Sequence, residues 1–426
     1  MMTAAQQLDQ ELDQDPTGGY RRLVVVLLSP LAFALVFASW TIFAVLGVEL
    51  KALLGFGEGH FALLLAAPMF IGALASLPTA LLAQRFGGRR VMIACLLIIC
   101  PFLWGLSHSR DYHHLLLAGA GLGLGAGSLA AGLVYVAGQC PRRHTGLALG
   151  LYGAGMLGAG LSYLLLPLVS QAYGWRAAPL IYLLPVLLVS ALLWLFADDR
   201  DAVPNLPEET SLSGKALLRR LACWALWRLA LVYSFFFGAF VALALWLPAY
   251  LSAQFQLPLK EAALASLPFT VAVGIGQVVG GAWADRRDFR ALRWWVSAFT
   301  LACLFLLSYP PFTMQVQGVH GVVAVRYEAP LWGLLLLLSL MGTAMGVGKG
   351  SLMRLLHRDH GNEMPLVGGL ALTLGGLFAA LLPLVFVLGN EWVGIRTAGF
   401  MFLYASLVVC MLVMIWDHAS GQSGAA

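Results

Sequence analysis

The sequence predicts an all-α membrane protein with twelve transmembrane helices in two similar halves of six. Of its 426 residues, 60% are hydrophobic and 11% are charged. A soluble protein of this length carries about 25% charged residues, so water cannot be the main solvent of its surface. Apolar stretches close to the 20 residues or so that cross a bilayer recur twelve times along the chain.

These twelve stretches divide the chain. They fall near 23–48, 61–83, 91–107, 115–138, 146–170, 179–196, 229–251, 262–284, 294–309, 331–352, 365–388 and 398–416. The predicted regions are a polar tail (1–22), a first half (23–196), a linker (197–228), a second half (229–416) and a short tail (417–426). Between Leu212 and Trp227 the linker mixes basic residues with Leu and Trp, which predicts an amphipathic helix on the membrane surface.

The distribution of Lys and Arg predicts the sidedness of the protein. One set of alternate connections, with the N-terminal tail, holds 18 of the 25 basic residues, the other set holds six, and Lys349 lies inside a span. Because basic residues favour cytoplasmic connections, we expect both termini in the cytoplasm and the chain in a bacterial inner membrane. The net charge of +5 then reflects topology, so the expected partners are the lipid bilayer and a small solute, without nucleic acid. We expect a monomer.

Two stretches 201 positions apart resemble one another. Each is an apolar helix that ends in a short basic loop, and the offset aligns Ser76 with Gln277 and Arg85 with Arg286. A duplicated unit in a membrane chain indicates two halves around a shared central path. Ser76 and Gln277 would face that path from opposite sides and would line a solute site near the middle of the membrane. The competing interpretation is an ordinary hydrogen-bonding role between helices.

The residues do not favour an enzyme. The six cysteines form no CxxC pair, no metal cluster has enough ligands, and no nucleophile and base stand together. We therefore expect neither a metal nor another cofactor. No predicted span carries Asp or Glu near its centre, so proton coupling through a buried carboxylate is not supported, and the coupling ion stays open.

The loops after the second and eighth spans resemble a signature of the major facilitator superfamily. The second copy reads Gly281-Ala-Trp-Ala-Asp285-Arg286-Arg287 and keeps the acidic residue of that signature. The first copy has Gln84 in the acidic position, followed by Arg85 and Arg89. The resemblance implies a fold of six plus six helices and a charge latch between helix ends in these loops. Gln84 can serve that latch only as a neutral hydrogen-bonding group.

Four other spans resemble the nitrate/nitrite porter family within that superfamily. Span seven has Tyr233, Phe237-Gly238 and Trp246-Leu-Pro248-Ala-Tyr250, and span five has the glycine series from Gly146 to Gly158. Spans ten and eleven carry Gly346-Val-Gly348-Lys349-Gly350-Ser351 and Gly368-Gly369 with Gly375-Gly376, and Trp40 in span one also fits. The resemblance implies a secondary transporter of nitrate, nitrite or a related small anion, with Tyr233 beside its path.

This chain departs from the family at four site positions. Ser76 and Gln277 stand where the family carries two arginines that hold the anion. Met156 and Lys349 stand where it carries signature asparagines of spans five and ten. A guanidinium matches two oxygens of a planar oxyanion at once, and neither Ser76 nor Gln277 offers that match. Lys349 could supply the missing positive charge.

Several alternatives stay open at this stage. Lys349 could instead extend its ammonium to the cytoplasmic membrane surface, Tyr233 could be a packed core aromatic, and Met156 favours packing over a ligand role. The loop at 310–330 alternates polar and apolar residues around Gly318 and Gly321, which indicates a small hairpin. The chain could also carry another small organic or neutral solute, or act as a membrane sensor or assembly protein that does not transport.

Overall fold

Long apolar helices make up nearly all of the computed structural model, which describes residues 18–198, 224–287, 289–318, 321–360 and 363–423. Most of the predicted N-terminal tail and of the linker, including most of the amphipathic helix expected between Leu212 and Trp227, lies outside these residues. The predicted C-terminal tail is helical as far as Ser423. The first nine α-helices, in chain order, are α1 (Gly18–Trp40), α2 (Ile42–Leu54), α3 (Glu58–Phe86), α4 (Gly88–Ser107), α5 (Tyr112–Leu122), α6 (Ala126–Gln139), α7 (Thr145–Gly153), α8 (Gly158–Tyr173) and α9 (Leu183–Phe196).

The remaining elements are six helices and one hairpin. They are α10 (Trp224–Phe255), α11 (Leu259–Ala284), α12 (Phe289–Leu307), β1 (Phe312–Gly318), β2 (Gly321–Tyr327), α13 (Leu331–His360), α14 (Met364–Val393) and α15 (Ala398–Ser423). Short 3-10 segments connect some of these helices, and one of them, Ala154–Leu157, joins α7 to α8. The two strands are antiparallel and pair Phe312 with Tyr327, which confirms the predicted hairpin.

Eleven helical segments in the described part of the chain are long and apolar enough to cross a membrane. The ninth predicted span forms a shorter apolar helix, Ala291–Leu307, so a total of twelve crossings stays a prediction. The first span is interrupted at Thr41, whose hydroxyl bonds to the carbonyl oxygens of Phe37 and Ala38 and to Ser162. The hydroxyl thereby satisfies carbonyl oxygens where the helix is interrupted.

Burial distinguishes the central helices from the lipid-facing ones. In α10, 89% of the most apolar window is buried inside the protein, whereas in the segment that ends in α9 only 33% is buried. A helix that is apolar on all sides and buried must be surrounded by other helices, so α10 lies in the middle of the bundle. Trp332 and Trp392, which are 72% and 84% exposed, lie at helix ends, where tryptophan favours the membrane interface.

Glycine allows the central helices to touch through their backbones. A Cβ atom on Gly276 or Gly280 of α11 would collide with the carbonyl oxygens of Thr343 or Val347 on α13. A Cβ on Gly281 of α11 would collide with the carbonyl oxygen of Gly146 on α7. Small residues of this kind bring membrane helices together because lipid gives apolar side chains little reason to associate. These contacts place α11 between α7 and α13.

The substitution Gly281→Ala should destabilise the protein, because the added methyl group must push α7 away from α11. Overpacking of this kind costs about 1–3 kcal/mol, so the thermal unfolding midpoint of the purified protein should fall. Gly105→Ala is the matched control, since a Cβ atom at Gly105 would meet no other atom within 4 Å. Equal unfolding midpoints for the two variants would show that α7 and α11 do not pack this closely.

Candidate functional site

A buried lysine amine lies at the centre of the candidate site. Lys349 on α13 is 2% exposed, and its Nζ contacts the sulfur atom of Met156, in the segment between α7 and α8. Helix α13 continues to His360, so Lys349 lies about 16 Å of helix from that end. Its side chain is directed into the bundle and does not extend to a membrane surface.

Aromatic rings surround this ammonium group. Its Nζ lies 5.2 Å from the ring centre of Phe237 and 5.9 Å from that of Phe240, both on α10. A cation over an aromatic face gains about 2 kcal/mol or more when water is excluded. No acidic side chain pairs with Lys349 among the described residues, so rings and a thioether are its recorded partners. Among the described residues, the Lys349 amine therefore lies between aromatic rings and a thioether, without a carboxylate beside it.

Ring contacts connect two more predicted residues to this group. Tyr233 is 1% exposed and stacks on Phe237, with ring centres 5.9 Å apart and planes 14° apart. On the other side, Phe37 stacks on Phe240 at 5.7 Å, and Trp40 meets Phe37 edge-on at 5.8 Å. Helices α1, α10 and α13 thus converge on the Lys349 ammonium. Phe240 and Phe37 were not singled out from the sequence, where aromatic residues are common in apolar spans.

Gln277 on α11 lies against Gly153, which precedes Met156 by three residues. A Cβ atom on Gly153 would overlap the side-chain amide of Gln277, so the amide lies directly against the Gly153 backbone. Gln277 is 2% exposed, and its Oε1 has no hydrogen-bond partner among the described residues. The amide thus brings an unsatisfied polar atom to the same segment of chain that contacts Lys349.

Ser76 and Trp40 have their own partners on the opposite side. The Ser76 hydroxyl, buried in α3, donates to the carbonyl oxygen of Gly72 at 2.8 Å. The Trp40 indole donates to the carbonyl oxygen of Leu122 at 3.0 Å, and its ring lies close to Gly72. The Trp40 bond joins α1 to α5, whereas the Ser76 bond stays within α3. No recorded contact joins Ser76 directly to Gln277 or Lys349.

A carboxylate at one end of the bundle joins three helices. Asp285, just after α11, accepts hydrogen bonds from the backbone N–H groups of Gly146 (2.9 Å) and Leu147 (2.8 Å). These N–H groups belong to the first turn of α7, where a negative charge is favoured by the helix dipole. Arg354 of α13 pairs with the same carboxylate at 2.7 Å. We call this end of the bundle the Asp285 end.

The other predicted loop residues do not reproduce this arrangement. Gln84 and Arg85 lie in the last turn of α3, and the Gln84 side chain makes no recorded hydrogen bond among the described residues. Arg89 donates to the carbonyl oxygens of Trp194 and Ala197 at the end of α9 and stacks on the Trp194 ring. Arg286 is exposed in the turn after α11. Asp285 thus joins α11 to α7 and α13, whereas Arg89 joins α4 to the end of α9.

The opposite end of the bundle contains a cavity of about 440 Å³. Its walls come from α2, α3, α10 and α14, and they include Trp246, Tyr250, Asn390 and Arg396. An ion pair between Lys51 and Glu58 lies at its edge. The bundle is therefore accessible to small molecules at this end.

Known proteins share this architecture. The family model described as Major Facilitator Superfamily matches residues 28–383. The chain belongs to the major facilitator superfamily. A solved superfamily structure, the human organic anion transporter MFSD10 (TETRAN), superposes with a TM-score of 0.66 at 18% identity. It covers 94% of this chain and all of the other, which shows a common fold.

Two curated relatives in the superfamily carry informative names. The chain is 30% identical over 415 residues to the probable nitrate/nitrite antiporter NarK1 of Thermus thermophilus, covering 93% of this chain and 91% of that protein. It is 26% identical over 400 residues to the nitrite extrusion protein of Bacillus subtilis, covering 93% and 95% respectively. The resemblance to a nitrate/nitrite porter of the superfamily is thereby confirmed.

The substitution Asp285→Ala should loosen the Asp285 end of this superfamily member, because two backbone N–H groups and Arg354 lose their acceptor. A lost helix cap costs about 0.5–2 kcal/mol, so more molecules should open there. Spin labels at His144→Cys and Arg358→Cys, in a background without other cysteines, would report the opening as a longer distance.

Glu328→Ala is the control for this measurement. Glu328 pairs with Arg326 on the exposed hairpin, remote from α7. An unchanged distance distribution in Asp285→Ala would show that the carboxylate does not hold this end closed.

Proposed function

We propose that this protein is a secondary transporter that moves a small monovalent anion across the membrane by alternating access. The observation that carries the proposal is Lys349, a buried lysine with no acidic partner among the described residues. Burying an uncompensated charge is costly, so charged residues inside a membrane bundle usually mark a solute path. An anion of charge −1 would complete a neutral pair.

Nitrate and nitrite are the first substrates to consider, because the relatives named above are associated with them. In the family pattern two arginines hold the anion, whereas here the charge comes from one lysine. An ammonium group is a compact point charge with rotatable donors, while a guanidinium is a rigid fork. We therefore expect looser geometric selection between planar oxyanions than two arginines would give.

The transport cycle would exchange the two ends of the bundle. In this proposal two six-helix halves, 23–196 and 229–416, rock about the Lys349 region, as in other transporters built from repeats. The charge distribution supports a cytoplasmic location for the Asp285 end and both termini. The present arrangement then opens outward through the 440 Å³ cavity, and Asp285 stabilises cytoplasmic closure. The protein would act as a monomer, without a cofactor and without a catalytic role.

Transport should depend on the charge of Lys349. The substitution Lys349→Met keeps the length of the side chain and removes the charge, so uptake of nitrate or nitrite into vesicles containing the purified protein should fall at least about tenfold. Lys349→Arg should retain part of the activity. Lys260→Met, a lysine near the start of α11 and outside the candidate site, should behave like the unmodified protein.

Thermal-shift measurements with nitrate, nitrite, formate and small carboxylates offer an independent reading. Stabilisation by a monovalent anion should disappear in Lys349→Met and persist in Lys260→Met. Nitrate stabilisation that survives Lys349→Met would exclude the lysine as the anion ligand. If the unmodified protein moves no solute of a broad panel, the sensor or assembly alternative would replace transport.

A further inference from the structure

We propose that the site prefers a monovalent oxyanion that carries its own hydrogen-bond donor, such as hydrogencarbonate or a small 2-hydroxycarboxylate, over nitrate. This inference rests on the proposed anion transport and concerns the chemistry of the anion. Two polar side chains carry it, namely Lys349 and Gln277, and Ser76 is a third polar group on α3 without a recorded contact to either of them. The lysine can bear a positive charge, the glutamine amide has an accepting and a donating end, and the Ser76 oxygen can accept.

Gln277 offers an acceptor that nothing nearby satisfies. Its side chain is buried against Gly153, and Oε1 has no donor within reach among the described residues. A glutamine amide has one accepting end and one donating end. If the amide turns its NH2 group towards a ligand, its oxygen still needs a donor. Either orientation is therefore completed best by a ligand that both accepts and donates.

Ser76 presents an acceptor as well. Its hydroxyl proton is directed to the carbonyl oxygen of Gly72 at 2.8 Å, which leaves the lone pairs of its oxygen for other contacts. In the resembling family the positions of Ser76 and Gln277 hold arginines, which have only donors. At these two positions this chain has a hydroxyl and an amide, each of which offers an acceptor oxygen.

The local backbone puts Gln277 and Lys349 on one stripe. Gly153 directly precedes the 3-10 segment Ala154–Leu157, and Met156 belongs to it. In a 3-10 helix, side chains three residues apart are aligned. The rise is about 2 Å per residue, so Gly153 and Met156 are about 6 Å apart along the helix axis. One small ligand could place an anionic oxygen at Lys349, in place of the Met156 sulfur, and an O–H group at Gln277.

Nitrate fits this stripe poorly. Its three oxygens can all accept from the lysine ammonium, but it has no hydrogen to donate to the glutamine oxygen. Sites that hydrogen-bond a ligand hydroxyl discriminate strongly against analogues without one, because a buried polar group of the site is then left unpaired. We expect at least a tenfold preference for the ligand that carries the donor.

Glycolate and acetate test this directly, because they have the same charge and differ by one hydroxyl group. Radiolabelled uptake of each would be measured in vesicles containing the full-length protein, with protein-free vesicles subtracted. The unmodified protein should take up glycolate at least tenfold better than acetate at equal concentration. Acetate is the smaller anion, so steric exclusion cannot produce this preference. Unlabelled hydrogencarbonate should compete for glycolate uptake better than nitrate does.

Two variants connect the preference to Gln277. Gln277→Met keeps the length of the side chain and removes both ends of the amide, so the ratio of glycolate to acetate uptake should approach one. Gln277→Arg replaces the acceptor by donors, so competition by nitrate should strengthen relative to glycolate. The readout is a ratio in each case, and a reduced amount of folded protein does not change it.

The outcomes separate this inference from the proposed function. Uptake of nitrate that equals or exceeds uptake of glycolate would overturn the donor preference and leave anion transport standing. A glycolate preference that persists unchanged in Gln277→Met would also overturn it, because the amide would not be its source. If none of these anions enters the vesicles, both proposals fail together.

Discussion

Direct backbone contact between α7, α11 and α13 is the constraint on which the candidate site depends. Gln277 lies at its centre, because Cβ atoms on Gly346 and Gly350 of α13 and on Gly150 of α7 would press on its backbone. Apolar side chains gain little from meeting each other in lipid, so close packing of small residues has to hold such helices together. Because of these contacts, the side chain of Gln277 extends over Gly153.

The position of Lys349 follows from this packing. Gly348 and Gly350 flank it, and a Cβ atom on either would crowd a neighbouring helix. With both flanking positions free of side chains, α13 approaches α11 and α10 closely enough to direct the ammonium group to Met156 and Phe237. A lysine on a helix with bulkier neighbours would lie farther from these partners. The electrostatics of the site thus depend on glycines that carry no charge.

The sequence predicted the broad architecture well, because its signals are properties of single segments. Apolar length predicted twelve spans, eleven of which are membrane-length helices in the described part of the chain, and alternation around Gly318 predicted the hairpin. Lys349 was harder, since its surroundings depend on how far the helix continues. Hydropathy ends the span near residue 352, but the helix extends to His360, and the added turns keep the ammonium group inside the bundle.

Contacts between distant segments could not be predicted from residue patterns alone. The four departures from the porter family appear in the sequence as separate substitutions, yet Met156 and Lys349 contact one another and Gln277 lies one 3-10 turn away. Met156, Lys349 and Gln277 therefore form one group. Ser76 differs, because its hydroxyl is satisfied within its own helix and no recorded contact joins it to the others. Whether it contributes depends on how α3 moves.

The two loop copies show how one substitution makes a repeat unequal. Asp285 accepts from two N–H groups of α7 and pairs with Arg354, whereas Gln84, its counterpart in the repeat, has no such recorded bonds among the described residues. A neutral amide gains less than a carboxylate from the positive end of a helix dipole. Among the described residues, the Asp285 loop therefore has a carboxylate that joins three helices, and the Gln84 loop has no carboxylate in the matching position. A transporter must break its closing contacts in every cycle, so the Asp285 contacts add to the free energy needed to open that end.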